Sequence, residues 1–408
     1  MPLRVLGPED HRAYRLLTAS AFGGTPPDPD APDATPDPGE TVLGIDSQDL
    51  PGGVPGVLAA GLAIREDTIL LGGRRVRCAG ISGLAVHPAH RGDGLFRRLV
   101  EGIVDHGGAS GAGLSMLYPS NPGIYTRAGW QRIGDVGRVV VPLAELGRLP
   151  RVPRRHVSPV TEENWSAVLG LYAEIARGEN GLLVREAPLF DRSKPAAPYE
   201  AVLVADDEGR PTGYISWTRT QNRDAGAGVG PIGLDVHEML ALDQDSRRAL
   251  LRVLGSWSTS VHSALVRLLT DDPLLELLPQ GTLRPAPRSL DPVLLRVIDA
   301  PVALTQRGAP AGIEGSLRLR VIDDYLPERT GTFDLAIGGG EIEVTPVPDV
   351  PPGPGTSLDV HALALLIAGG RSIADLRRAG HEVTTDASGA ALLDSLFPGP
   401  RPSVLDSF

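Results

Sequence analysis

The stretch ISGLAVHPAHRGDGLFRRLV, residues 81–100, constrains the fold of this chain more than any other. Its apolar run ends at Val86, and Pro88 cannot continue a strand ladder. Arg91, Gly92, Asp93 and Gly94 follow, and the segment from Leu95 reads as a helix. A strand, a tight turn and a helix are therefore predicted in direct succession. Gly92 and Gly94 let backbone N–H groups converge on an anion, the helix N-terminus adds its positive end, and Arg91 supplies a permanent charge. That geometry suits a pyrophosphate. Asp93 opposes it unless its side chain turns away to solvent. The stretch is not a GxGxxG dinucleotide fingerprint, and it lacks the GK[ST] ending of a P-loop. A generic glycine turn before a helix is the plainer reading. The ordered run of strand, Pro, Arg, paired glycines and helix favours the anion site.

The rest of the chain has to supply partners for this junction. At 408 residues it exceeds one ordinary core and implies two or three domains. A hydrophobic fraction of 41% and a charged fraction of 22% are those of a globular protein. The net charge of −11 repels phosphate backbones, which argues against a nucleic-acid partner and favours cationic small molecules. Cys78 is the one cysteine, so no disulfide framework can form within the chain, and no Cys/His cluster has zinc spacing. No metal is expected. The charged start and the lack of a long apolar run point to a soluble cytoplasmic protein with no membrane partner.

Three blocks follow one another, with expected boundaries at 1–148, 149–295 and 296–408. In the first, residues 7–22 read as a helix. Residues 23–41 read as a proline-rich loop carrying Asp28, Asp30, Asp33, Asp37 and Glu40 without a basic residue: a solvated insertion, or an electrostatic lure for amines. Successive strands run from residue 54 to residue 88, a helix from Leu95, and a strand through AGLSMLYPS. The second block opens on a helix capped at Thr161, with Asn164 three residues later. It continues strand, turn, strand, then strand into helix, then the strand HSALVRLLT. This order echoes the first block and makes a weak internal repeat plausible. In the third, Leu317, Leu319 and Val321 alternate with Arg318 and Arg320 as a half-buried strand. A small sheet and short helices with glycine stops follow.

Val86-His87-Pro88 followed by Arg91-Gly92-Asp93-Gly94-Leu95 resembles the acetyl-CoA-binding motif of the GNAT N-acetyltransferases. The whole chain is similar to one branch of them, the enhanced-intracellular-survival (Eis) type. Supporting stretches are SNPGIYTRAGW, DPVLLRVIDAPVAL and an aromatic last residue, Phe408. The resemblance implies an α/β (α+β) fold: a catalytic GNAT domain, a degenerate GNAT-like domain, and a C-terminal sterol-carrier-like domain. It implies acetyl-CoA as acyl donor, an amine as acceptor and a hexamer. The acceptor could be an aminoglycoside-like polyamine, a small polyamine or a lysine side chain. Carried over by position, Leu84, Ala85 and Val86 form the strand edge for the pantetheine amides. Arg91, Gly92, Asp93, Gly94, Leu95, Phe96 and Arg97 form the pyrophosphate loop and first helical turn, and Ser120 and Asn121 add further contacts. Relatives often have more arginines in this loop. The equivalent stretch of the second block has Asp243 and Asp245 where phosphates would sit, implying a lost cofactor site.

Direct transfer needs a proton for the departing thiolate and a base for the amine. A phenol of ordinary pKa near 10 stays protonated at neutral pH and can donate. Tyr125 lies where the resembling enzymes keep their general acid; Tyr118 is expected to pack within its strand. His87 and His90 are expected to belong to the turn, and Cys78 to the core. The resemblance assigns the base to the C-terminal carboxylate, here that of Phe408. A different class of reading is a non-catalytic protein that binds CoA and an apolar ligand.

Overall fold

The computed structural model describes residues 2–28, 36, 38–186, 200–220, 233–278, 282–348 and 355–406. Along the chain run β1 (Arg4–Val5), α1 (His11–Phe22), β2 (Glu40–Asp46), β3 (Leu58–Leu71), β4 (Arg74–Val86), α2 (Leu95–Ala109), β5 (Leu114–Leu117), α3 (Pro122–Arg127) and β6 (Gln131–Pro142). Next come α4 (Leu143–Leu146), β7 (His156–Pro159), α5 (Trp165–Ala176), β8 (Ala201–Ala205), β9 (Pro211–Thr220), β10 (Gly233–Ala241), α6 (Gln244–Gly255), β11 (Ser263–Leu268), α7 (Leu274–Leu277) and β12 (Arg284–Val297). The last elements are α8 (Ala300–Arg307), β13 (Gly315–Ile322), β14 (Gly331–Gly338), β15 (Glu341–Val347), β16 (Thr356–Asp359), α9 (Val360–Ala368), α10 (Ile373–Arg378), β17 (Val383–Thr384) and α11 (Ala387–Leu396).

These elements form two compact units. One contains Met1–Ile133 and Val293–Gly399, and the other contains Gly134–Pro292 and Pro400–Asp406. In the first unit the strand order is β1-β2-β3-β4-β5, closed by the end of β12. Neighbours are antiparallel except β4 and β5, which run parallel with Cys78 opposite Leu114 and Ile81 opposite Leu117. The strand beside β5 comes from far along the chain: Leu294 to Val297 pair with Leu117 to Leu114. All four residues of β5 are buried, as expected of a strand covered on both faces. Leu95, Leu99 and Ile103 recur at every fourth position of α2 and enter the same core as Ile64, Ile81 and Leu117. This unit also holds a second sheet, β15-β14-β13-β16-β17. Leu319 and Val321 of β13 are buried, as their alternation predicts. The eight residues of α9 other than His361 are buried, so that helix is the centre of this layer.

The second unit repeats the order of the first. β8, β9 and β10 are antiparallel, α6 follows β10, and β11 returns parallel to β10. β6 lies beside β11, as β12 lies beside β5. Two local expectations need correction. The helix of the second block starts at Trp165, not Thr161. Asn164 holds the Thr161 N–H through Oδ1 at 2.7 Å, so Thr161 belongs to the preceding turn. β5 ends at Leu117, which leaves Tyr118 half-buried just beyond the strand. The first acidic stretch is only partly visible. Asp28 is exposed and Glu40 starts β2, while Asp30, Asp33 and Asp37 lie outside the described residues.

Candidate active site

The β4–β5 ladder stops at Ile81 and Leu117, whereas β4 continues to Val86 along β3 alone. Its edge from Ser82 to Val86 has no strand partner on the β5 side among the described residues. That edge also bends. Ser82 faces Ala63 and Ala85 faces Gly61, so β4 carries one extra residue there, a bulge, with Gly83 at φ 58°. The Tyr14 hydroxyl donates to the Gly83 carbonyl at 3.2 Å and fixes the bulge. Leu84, Ala85 and Val86 therefore form an unpaired edge, suited to amides that add like a strand.

Beyond Val86, a short turn over Pro88–His90 leads into the glycine loop. His87 accepts the Ala89 N–H on Nδ1 at 3.2 Å, so it caps that turn, as expected. Gly92 and Gly94 have φ of 96° and 78°, conformations that suit glycine, and a Cβ on either would meet nothing within 4 Å. The space in front of the loop is open. Gly94 is the N-cap of α2, with no side chain covering the helix end. The first turn of a helix leaves N–H groups without intrahelical acceptors; Leu95 and Phe96 occupy that position, while the Arg97 N–H already donates to the Gly94 carbonyl at 3.1 Å. Asp93 faces His90, with its carboxylate 3.7 Å from Nδ1, and the His90 Nε2 meets the Ser47 hydroxyl at 2.8 Å. The Asp93 side chain is 48% exposed, so it reaches solvent beside the loop. Arg91 is exposed, and its Nε points back to the Val86 carbonyl at 3.4 Å. The open glycine turn, the uncovered helix end and the arginine fit a pyrophosphate.

Tyr125 sits in α3, only 6% exposed. Its ring stands edge-on to Phe96 at 5.6 Å, so the first turn of α2 touches the phenol directly. Trp130 closes the other side at 6.0 Å. Burial pushes the phenol up to about 12. No group among the described residues hydrogen-bonds its hydroxyl. Asn121 caps α3 by accepting the Gly123 N–H at 3.2 Å, and Ser120 and Asn121 are exposed at its mouth. Leu84, Val86 and Phe96 lie on the same apolar cluster as Tyr125. The loop, the strand edge and the phenol are thus brought together. Phe408 lies outside the described residues. Cys78 is 1% exposed on β4, and burial raises its thiol well above the ordinary value.

Sequence reasoning missed Arg296 and Asp323 and gave Glu40 no more than a place in the acidic stretch. Glu40 is half-buried on β2 and accepts from the Ser82 hydroxyl at 3.4 Å, next to the bulge. Arg296 is fully buried on β12, where it donates to the Ala128 carbonyl behind Tyr125 and pairs with Asp323. Only Glu40 had a local signal, as the last acid of the acidic stretch.

In the second unit the corresponding helix is closed. Asp243 caps α6 by accepting the Ser246 N–H at 2.7 Å and pairs with Arg155 at 3.0 Å. Burial opposes its charge, but the bonds from Ser246 and Arg155 outweigh burial and lower its pKa. A carboxylate thus already takes the helix end, where it would repel a phosphate.

Residues 2–133 match the model of an acetyltransferase (GNAT) domain, and residues 181–297 match a second acetyltransferase (GNAT) model. Residues 300–405 match a sterol carrier protein domain. An uncharacterized N-acetyltransferase of Streptomyces griseus is 27% identical over 374 residues, covering 84% of this chain and 85% of the relative. N-acetyltransferase Eis of Mycobacterium tuberculosis is 26% identical over 368 residues, covering 86% of each. The crystal structure of a GCN5-related N-acetyltransferase from Anabaena variabilis shares the fold, with a TM-score of 0.82 over the full length of both chains at 23% identity.

Proposed function

Because the chain is an acyltransferase of the GNAT family, we propose that it moves an acetyl group from acetyl-CoA directly to an amine, with Tyr125 as general acid. The observation that carries this reading is the contact of Tyr125 with Phe96, which sets the phenol against the first turn after the glycine loop. Acetyl-CoA supplies an activated acyl thioester. Gly92 to Arg97 would hold its pyrophosphate, and the edge Leu84–Val86 would hold its pantetheine amides. Ser120 and Asn121 would line the exit beside α3.

Tyr125 would give its phenolic proton to the departing thiolate. A pKa of about 12 keeps the proton in place at neutral pH, so the acid is ready before chemistry. The same burial that penalises phenolate penalises a thiolate in that pocket, which narrows the gap between donor and acceptor. The base for the incoming amine is proposed, by resemblance, to be the Phe408 carboxylate. Glu40 and the net charge of −11 support a cationic acceptor such as a polyamine, an aminoglycoside-like amine or lysine.

The divisions at 148 and 295 and a hexameric assembly belong to the same proposal; the family matches at 2–133, 181–297 and 300–405 support the first. Among the described residues, no helix is long and apolar enough to cross a membrane. The alternative reading places an apolar ligand in the third domain, where a cavity of about 840 Å³ is lined by Leu317 and Leu392 together with Glu314, Arg318, Thr356 and Asp386. A panel of amines with acetyl-CoA, read by thiol release and by mass of the product, tests the proposal. Acetylation of at least one amine class is expected, and no thiol release above hydrolysis would overturn it.

A further inference from the structure

The β13–β14 connection, residues 323–330, falls within the sterol carrier match but lies on the elements of the candidate active site. Leu326 is buried in the cluster that holds Leu95, Leu99, Tyr125 and Trp130. The Tyr325 ring lies 5.4 Å from the Arg97 guanidinium, and Arg329 pairs with Asp105, so the connection follows α2 from its first turn onward. Asp323 organises it. Its Oδ1 accepts the N–H groups of Tyr325 at 3.1 Å and Leu326 at 2.9 Å, and its own N–H donates to the Thr330 hydroxyl at 3.0 Å.

The other carboxylate oxygen of Asp323 takes Arg296. Arg296 stands opposite Ser115 in the β12–β5 ladder, with no solvent exposure. One Nη donates to Asp323 and the other to the carbonyl of Ala128, the residue that ends α3. The guanidinium also lies 5.4 Å from the centre of the Trp130 ring. Ala128 and Trp130 both donate their N–H groups to the Tyr125 carbonyl, at 2.9 and 3.1 Å. Gly129, at φ 92°, lets the backbone pass the guanidinium; a Cβ there would overlap Nη1.

We propose that Arg296 is a positioning residue for Tyr125, and that Asp323 of the sterol-carrier-like region holds Arg296 in that role. The inference rests on Tyr125 being the acid. An apolar pair could fill the same volume at no loss of stability, because a buried ion pair often does no better than hydrophobic residues of its size. A planar guanidinium adds direction: its fork spans a carboxylate and a carbonyl at once and fixes the turn that carries the phenol. A phenol displaced by an ångström would lose much of its value as an acid. The third domain then serves the transfer reaction as a brace.

The test compares four proteins: the parent, Tyr125→Phe, Arg296→Met with Asp323→Asn, and all three changes together. The paired change removes both charges and keeps the Oδ1 cap of the connection. It should lower kcat by about 10- to 100-fold, the scale of an ångström's misplacement, with KM for acetyl-CoA within about twofold. Added to Tyr125→Phe it should cost less than about threefold more, because the group being positioned is already gone. Full multiplication of the two losses, with Tyr125→Phe itself slow, overturns the positioning role and leaves the acid intact. Normal turnover of Tyr125→Phe overturns the acid reading and this inference together. If the paired variant does not fold, Arg296→Lys serves. A lysine keeps a charge opposite Asp323 but cannot span both acceptors, so kcat should fall with the fold preserved. Parent-like kcat in a folded Lys variant overturns the proposal.

Discussion

Gly129→Ala and Gly94→Ala place the same methyl group at two left-handed positions with different surroundings. Gly129 has φ 92° and Gly94 has φ 78°, so each alanine bears the cost of a left-handed backbone, about 1–2 kcal/mol. At Gly94 nothing lies within 4 Å, and the cost ends there. At Gly129 the Cβ overlaps Arg296 Nη1, which must withdraw from the Ala128 carbonyl. Losing a hydrogen bond from a buried charge adds about 1–3 kcal/mol. In a unit of this size about 1 kcal/mol moves Tm by roughly 2–4 °C, so Gly129→Ala should melt roughly 2–12 °C below Gly94→Ala. Differential scanning calorimetry without ligand reads the difference. Equal melting temperatures within about 1 °C would refute the claim that Arg296 is pressed against the 128–129 backbone.

Gly94→Glu brings bulk and a negative charge into the glycine loop; calorimetric titration should show no acetyl-CoA binding, and parent affinity would refute the phosphate assignment. The pH profile tests the phenol. A pKa raised to about 12 means the protonated acid persists at every pH below that value, so kcat should show no descending limb up to about pH 10, whereas a limb near pH 9 that disappears in Tyr125→Phe would contradict the buried-phenol account. A Gly-Ser extension after Phe408 turns its carboxylate into an amide and should lower kcat at saturating amine while leaving acetyl-CoA affinity unchanged; parent turnover would move the search for the base elsewhere.

The sequence made the cofactor loop legible because its signals are local. Pro88 marks the stop of β4, Gly92 and Gly94 mark the left-handed turn, and α2 starts at Leu95 as read. What stayed hidden depends on partners far away in the chain. Nothing near Arg296 says that it will be buried against Ala128 and Asp323, because an arginine in a strand ordinarily reads as a surface residue. Asp93 looked hostile to phosphate unless it turned to solvent, and only the fold shows its side chain about half exposed there, 3.7 Å from His90. The same holds for β12, whose end completes the sheet beside β5, and for Pro400–Asp406, which fold with the second unit. The Thr161 expectation failed for a smaller reason: the Asn164 side chain turns back to the Thr161 N–H and the Pro159 carbonyl, and the helix begins only at Trp165.

The most direct test of the account is single-turnover acetyl transfer by Tyr125→Phe at saturating acetyl-CoA, with acetyl-CoA affinity measured on the same protein. The phenol is the one proton donor assigned to the leaving thiolate. Its removal should therefore slow the chemical step by about 10²–10⁴-fold, with Kd for acetyl-CoA unchanged. A chemical step within about twofold of the parent would contradict it.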